Sequence, residues 1–303
     1  MTRPEVRIYE VGPRDGLQAE ATVVPTDAKL RFLAMLADAG LREIEATSLV
    51  RPDAIPQFAD AEALLAGLDR RPGVRYPVVI PNARGLERAI AAEVDAICLI
   101  TAATDSYVQH NIGMTIDESL AAFAPIAAEA RSRGWWIRAY VSTAFGCPYD
   151  GEVREGAVVG VADRLLRLGV DELSISDTVG VATPADVRRV LGALATAGIG
   201  PEAVALHLHD TRGTALANVI AALELGIRAF DASTGGTGGS PYAPGSAGNL
   251  ATEDLVYLLD REGVRTGVDL DAILGAAAFI AAQLGREVGS KVGRAGGWPR
   301  VAR

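Results

Sequence analysis

The sequence is poor in lysine, histidine, cysteine and aromatic side chains, and each shortage narrows what the protein can be. Lysine occurs only at Lys29 and Lys291. With arginine included there are 29 basic residues against 38 acidic ones, a formal net charge of −9. A nucleic-acid-binding face needs clustered positive charge. No run of like charge occurs, so nucleic acid is not an expected partner. Two cysteines, Cys98 and Cys147, cannot staple a chain of 303 residues with disulfides. Cys98 lies in the apolar run 94–100 and reads as core packing. No apolar stretch is long enough to cross a bilayer, and the first residues show no apolar signal segment. The expectation is a cytoplasmic protein with no membrane partner. Aromatic residues make up 5% and charged residues 22%, while 49% of the chain is apolar, enough to bury a sizeable core.

What is present is a regular alternation. Short β-type runs fall at 6–11, 43–47, 75–80, 96–100, 136–142, 172–176, 203–207 and 229–231. Between them lie helix-like segments, among them 27–39, 86–92, 117–133, 153–168, 184–197 and 214–225. Eight strands, each followed by a helix, predict a closed (β/α)₈ TIM barrel. A doubly wound sheet would carry its phosphate motif after the first strand. That strand runs instead into Gly12-Pro13-Arg14-Asp15-Gly16-Leu17, which has no G-x-G-x-x-G. No linker or shift in composition marks a second domain, so residues 1–303 read as one barrel domain. Its last part, 269–303, reads as a short C-terminal helical extension and tail.

In such a barrel the active site is built at the C-terminal strand ends, and the unusual polar residues fall there. Arg14 and Asp15 follow the first strand. Glu45, Thr47 and Ser48 close the second, and Asn82 follows the third. Tyr140 and Ser142 end the fifth, and Asp177 and Thr178 follow the sixth. His207 and His209 end the seventh. Side chains two apart on a strand share a face, so both imidazoles can point along the barrel axis. Of three histidines, two sit at this spacing. Neutral imidazole is a common ligand for divalent metals, although H-x-H alone is also compatible with ordinary hydrogen bonding. Asp15, on the first strand, is near enough in a closed barrel to complete a carboxylate–imidazole metal site with open positions. The segment 235–249 holds six glycines in fifteen residues and reads as a lid or binding loop.

Taken together these motifs resemble the 3-hydroxy-3-methylglutaryl-CoA lyase family, within the metal-dependent barrel lyases and synthases. The likeness lies in Val11-Gly12-Pro13-Arg14-Asp15-Gly16-Leu17-Gln18, Glu45-Ala46-Thr47-Ser48, Pro81-Asn82 and Phe145-Gly146-Cys147-Pro148-Tyr149. It continues through Asp177-Thr178-Val179-Gly180, His207-Leu208-His209-Asp210, the run 248–257 and Ser290-Lys291-Val292. The resemblance implies that Asp15, His207, His209 and Asn249 hold Mg²⁺ or Mn²⁺. It implies that Arg14 lies over a thioester carbonyl and that Glu45 and Asp177 belong to the active site. Gln18, Asn82, Tyr140, Ser142 and Lys291 are the candidates for contacts with substrate and CoA. The chain departs from the family at Ser240, where the lid loop carries a cysteine in Gly-Gly-Cys-Pro-Tyr. A thiol titrates near neutral pH and a serine hydroxyl does not. Ser240 is therefore expected to work, if catalytic, as a relay, and to shift the substrate toward an analogue such as citramalyl-CoA.

The expected reaction is metal-dependent cleavage of a carbon–carbon bond in a 3-hydroxyacyl-CoA, giving acetyl-CoA and a keto acid. Two rivals stay open at this point. One is a Claisen-type synthase joining acetyl-CoA to a 2-keto acid. The other is a metal- and CoA-binding homologue without catalysis. A homo-oligomer is the expected assembly.

Overall fold

The computed structural model describes residues 5–238, 248–287 and 289–297. Its strands are β1 (Arg7–Glu10), β2 (Glu43–Ile44), β3 (Thr47–Ser48), β4 (Val78–Val79), β5 (Ala96–Ala102), β6 (Trp136–Ser142), β7 (Glu172–Asp177), β8 (Val204–Leu208) and β9 (Ala229–Ala232). The helices are α1 (Thr26–Asp38), α2 (Ala61–Gly67), α3 (Ala83–Ala91), α4 (Asp105–Ile112), α5 (Ile116–Ser132) and α6 (Glu155–Arg167). They continue with α7 (Pro184–Thr196), α8 (Ala215–Glu224), α9 (Thr252–Arg261), α10 (Leu270–Leu284) and α11 (Lys291–Ala295).

The strand segments pair in parallel in the order β2-β1-β9-β8-β7-β6-β5-β4-β3. β2 and β3 are successive halves of one strand. β2 pairs with β1, and β3 pairs with β4. The interruption at Glu45-Ala46 is still bonded on both sides, Glu45 N–H to the Glu10 carbonyl and Ala46 N–H to that of Pro77, each at 2.9 Å. The nine segments therefore make eight staves, and the expected barrel closes. The third stave is much shorter than 75–80, because Pro77 has no N–H to donate.

Side chains alternate across each stave. Ile137, Ala139 and Val141 of β6 point outward into the apolar layer shared with the helices. Arg138, Tyr140 and Ser142 point inward. β7 does the same with Glu172, Ser174 and Ser176, and β8 with His207. The barrel axis is thus polar. Arg138 is its fully buried hub. It donates to Glu172 Oε1 at 2.8 Å, to both oxygens of Asp231 and to Tyr140 Oη at 3.0 Å. Its guanidinium lies over the Tyr9 ring, 3.8 Å from the centroid. A charge held this way is tolerable only because each of its partners is satisfied.

The described part of the C-terminal extension is docked on the barrel. α10 packs on α1, and Asp269 N–H bonds the Ala39 carbonyl at 2.8 Å. α11 is started by Asp254, whose carboxylate accepts from Ser290 Oγ and from the N–H groups of Lys291 and Val292.

Candidate active site

The segment after β1 turns at once. Gly12–Gly16 form a single wide turn closed by Gly16 N–H on the Val11 carbonyl at 3.0 Å. Glu10, fully buried, fixes it. Its carboxylate accepts from Gly12 N (2.9 Å), Thr234 N and Oγ1 (2.8 Å each) and Thr252 Oγ1 (2.7 Å). No side chain fits at Gly12, where a Cβ would stand 2.5 Å from Glu10 Oε1. The turn presents Arg14 and Asp15 side by side at the mouth, with Arg14 Nη1 2.8 Å from Asp15 Oδ1.

Asp15 meets the histidines there. One ligand atom from each of Asp15, His207 and His209 lies within 4.8 Å of the others. His207 Nδ1 stands 3.1 Å from Asp231 Oδ2, a carboxylate that accepts the Nδ1–H and leaves the Nε2 lone pair facing the site. Burial, followed by the neighbouring His207, lowers the pKa of His209 to about 3, so that ring is neutral. Burial pushes the Asp15 carboxyl up, but Arg14, His207, His209 and the Asn249 amide outweigh it and hold it below the usual range.

Asn249 completes the group. Its Nδ2 donates to Asp15 Oδ2 at 2.8 Å and to the Thr237 carbonyl at 3.0 Å. Among the described residues its Oδ1 is buried without a hydrogen-bond partner, as is His209 Nδ1. Close approach of the glycine segment aims this amide: Gly238, at φ +96°, leaves no room for a Cβ beside Asn249 Nδ2. Hard carboxylate and amide oxygens beside two imidazoles suit a small divalent cation, and the unpartnered Oδ1 is an acceptor such an ion would satisfy.

Arg14, Asp15, Gln18, Ser48, Tyr140, Ser142, His207 and His209 line one cavity of about 290 Å³. Asp15 is its single acidic lining residue among those described. Glu45 is fully buried beneath it, with Arg14 Nε on Oε1 and the hydroxyls of Tyr9 and Tyr140 on Oε2, each at 2.8 Å. It therefore orients Arg14. Asp177 turns away from the cavity: its oxygens accept Val181 N (2.9 Å) and Ala182 N (3.0 Å), and its neighbours Ser176 and Thr178 line the wall instead. Asn82 does not reach the cavity either. It caps α3 by accepting from Gly85 N at 3.0 Å and borders a separate depression with Arg51, Arg84 and Arg88. Lys291 is exposed, paired with Asp210 beside His209. Ser240 lies outside the described residues.

Strand patterning missed Asp231, Arg138 and Tyr9, which support the site from within the barrel, and Tyr107 and Asn111 of α4, which line its wall. The signal that could have found the first three is the alternation itself. An arginine or acid at every second position of an otherwise apolar strand must face a polar interior.

A closed barrel whose C-terminal mouth gathers an arginine, a carboxylate, two imidazoles and an amide defines a (β/α)₈ protein with a candidate metal site. The chain belongs to the HMGL-like family, whose model matches residues 5–280. It is 45% identical over 291 residues to the mitochondrial hydroxymethylglutaryl-CoA lyase of Bos taurus, covering 96% of this chain and 89% of that one. It is 44% identical over 290 residues to the cytoplasmic 3-hydroxy-3-methylglutaryl-CoA lyase of Rattus norvegicus, covering 96% and 84%. The Bacillus subtilis HMG-CoA lyase superposes with a TM-score of 0.94 at 43% identity, covering 97% of this chain and 99% of that one. An Acenitobacter baumannii HMG-CoA lyase in complex with coenzyme A and 3-methylmalate superposes at 0.93 with 38% identity, covering 99% and 97%. Among the described residues no helix is long and apolar enough to cross a membrane.

Proposed function

We propose that this chain is a carbon–carbon lyase that splits 3-hydroxy-3-methylglutaryl-CoA, or a close analogue such as citramalyl-CoA, into acetyl-CoA and a keto acid. The observation that carries the reading is the convergence of Arg14 with Asp15, His207 and His209 on one cavity, with the Asn249 amide bonded to Asp15. Support from the relatives lies in their lyase names and in the one that holds coenzyme A with a hydroxy diacid.

Asp15, His207, His209 and Asn249 would hold a divalent cation, Mg²⁺ or Mn²⁺. When bound, the cation supplies Lewis acidity toward the hydroxyl and carboxylate oxygens of the substrate. The protein's own groups do the rest. Asp15, the lining carboxylate, is the acceptor available for the proton of the C3 hydroxyl. As that proton leaves, the C3 oxygen becomes a carbonyl and the C2–C3 bond breaks. Its electron pair passes to C2 as the enolate of the thioester. Arg14, a permanent planar cation, stabilises the charge on the thioester oxygen. A proton then returns to C2, with Ser240 as the relay. Glu45 holds Arg14, Tyr140 and Ser142 bound the acyl chain, and Gln18 lies beside Arg14.

The test is a panel of hydroxyacyl-CoA thioesters assayed for acetyl-CoA release with Mg²⁺ and with Mn²⁺, comparing native protein with Ser240→Cys. Cleavage of at least one thioester, lost on chelation, is expected. Full activity in excess chelator, or no turnover of any thioester, would overturn the reading.

A further inference from the structure

Tyr9 is fully buried in β1 and does not line the cavity. Its hydroxyl nevertheless touches the catalytic machinery through one intermediary. It donates to Glu45 Oε2 at 2.8 Å, the oxygen that also receives the Tyr140 hydroxyl. Glu45 Oε1 is taken by Arg14 Nε. A phenol has one proton to give, and Tyr9 gives it to Glu45. The 3.0 Å contact between Tyr9 Oη and Cys98 Sγ is therefore one in which the thiol donates. Burial above all holds the phenol well above its ordinary pKa, so the hydroxyl stays a donor at neutral pH. The ring packs under the Arg138 guanidinium, 3.8 Å from its centroid, with the Trp136 ring alongside at a centroid distance of 6.4 Å.

We propose that Tyr9 is a positioning residue for the cleavage step: its hydroxyl fixes Glu45, and Glu45 fixes the plane of the Arg14 guanidinium over the cavity. The inference rests on the role given to Arg14 above. Two anchors set that plane, Glu45 at Nε and Asp15 at Nη1. With one donor removed from Oε2, Glu45 is free to pivot about Tyr140, and the anchor at Nε loosens. A cation aimed at charge that develops only in the transition state is sensitive to such loosening. Tyr9 is not among the residues lining the cavity, so ground-state binding should be unchanged.

The experiment is a double-mutant cycle in the full chain with Mg²⁺ or Mn²⁺ present, using Tyr9→Phe and Arg14→Lys. Tyr9→Phe removes one oxygen and keeps the ring. It should lower kcat about tenfold, the scale of one hydrogen bond to a charged group, with KM changed by less than about twofold. In the Arg14→Lys background the same change should cost less than about twofold, because its route to the reaction is already broken. Fully multiplicative losses would mark a merely structural tyrosine and overturn the proposal. So would an unchanged kcat in Tyr9→Phe beside a lowered one in Arg14→Lys. If Arg14→Lys itself leaves kcat unchanged, the assignment of Arg14 fails first and this inference falls with it. If Tyr9→Phe does not fold, Glu45→Gln serves in its place, and the same non-additivity with Arg14→Lys is required.

Discussion

His207 Nε2 and His209 Nε2 face each other at 3.1 Å, their two rings tilted by 53° at the C-terminal end of β8. At most one proton can lie between them, and His209 Nδ1 on the far side of its ring has no partner among the described residues. A cation held by the two rings and Asp15 would resolve that contact.

The first expectation follows directly. Mg²⁺ or Mn²⁺ should raise the melting temperature of the native protein, by the equivalent of ~2.7 kcal/mol at a hundredfold excess over Kd. His209→Ala should lose that shift along with activity. A shift of equal size in the variant, read by differential scanning fluorimetry, would remove His209 from the ligand set.

Arg14→Lys keeps the charge and loses the planar fork. The expected result is a fall in kcat of ~10²-fold or more, the cost of one oxyanion donor. A raised KM with unchanged kcat would contradict a role in the chemical step.

Asp231 never reaches the cavity, but it receives His207 Nδ1–H and is itself held by Arg138 and by Ser174 Oγ at 3.0 Å. Asp231→Asn should weaken metal affinity ~10–100-fold, as outer partners of metal-bound histidines do. Calorimetric titration with Mn²⁺ would show it, and unchanged affinity would reduce Asp231 to a structural anion.

Glu253, in the first turn of α9, is buried and accepts Gly235 N–H at 3.0 Å with Oε2. Burial raises its pKa to about 7. The folded state therefore binds this proton more tightly than the unfolded chain. Its contribution to stability is complete below about pH 4.5 and is lost as pH rises through about 7. Glu253→Gln should flatten that decline and gain relative to native protein at pH 8. Denaturant midpoints measured from pH 5 to 8 decide it; parallel curves for the two proteins would contradict the assignment.

Much of this site was legible in residue order because its loudest signals are local. Two histidines at strand spacing and an acid at the end of the first strand declare themselves without a partner in view. The barrel was legible for the same reason, as a rhythm of short staves and helices. What stayed hidden depends on contacts across the ring. Nothing in Val6–Val11 says that Tyr9 faces Glu45, or that Arg138 and Asp231 share one axis, until parallel pairing sets β6, β7, β8 and β9 in register. Asp177 looked equally available in sequence. Its side chain is instead spent on two backbone amides of its own loop.

The closure of β1 on β9 also bears on how the chain comes into being. Asn249 and Asp15 touch across a separation of 234 residues, and Glu10 and Thr252 across 242. Contacts so distant form late, after the entropy of closing the intervening chain has been met. During synthesis the first strand is made early, yet its neighbour on one side emerges only with residues 229–232. Until then a growing chain carries an open strand edge, the feature most prone to wrong pairing. Glu10 and its four donors act as the clasp of the ring, and the same clasp holds the turn that carries Arg14 and Asp15. A truncated or stalled chain thus lacks both a sealed sheet and the Asp15–Asn249 contact at the mouth of the barrel.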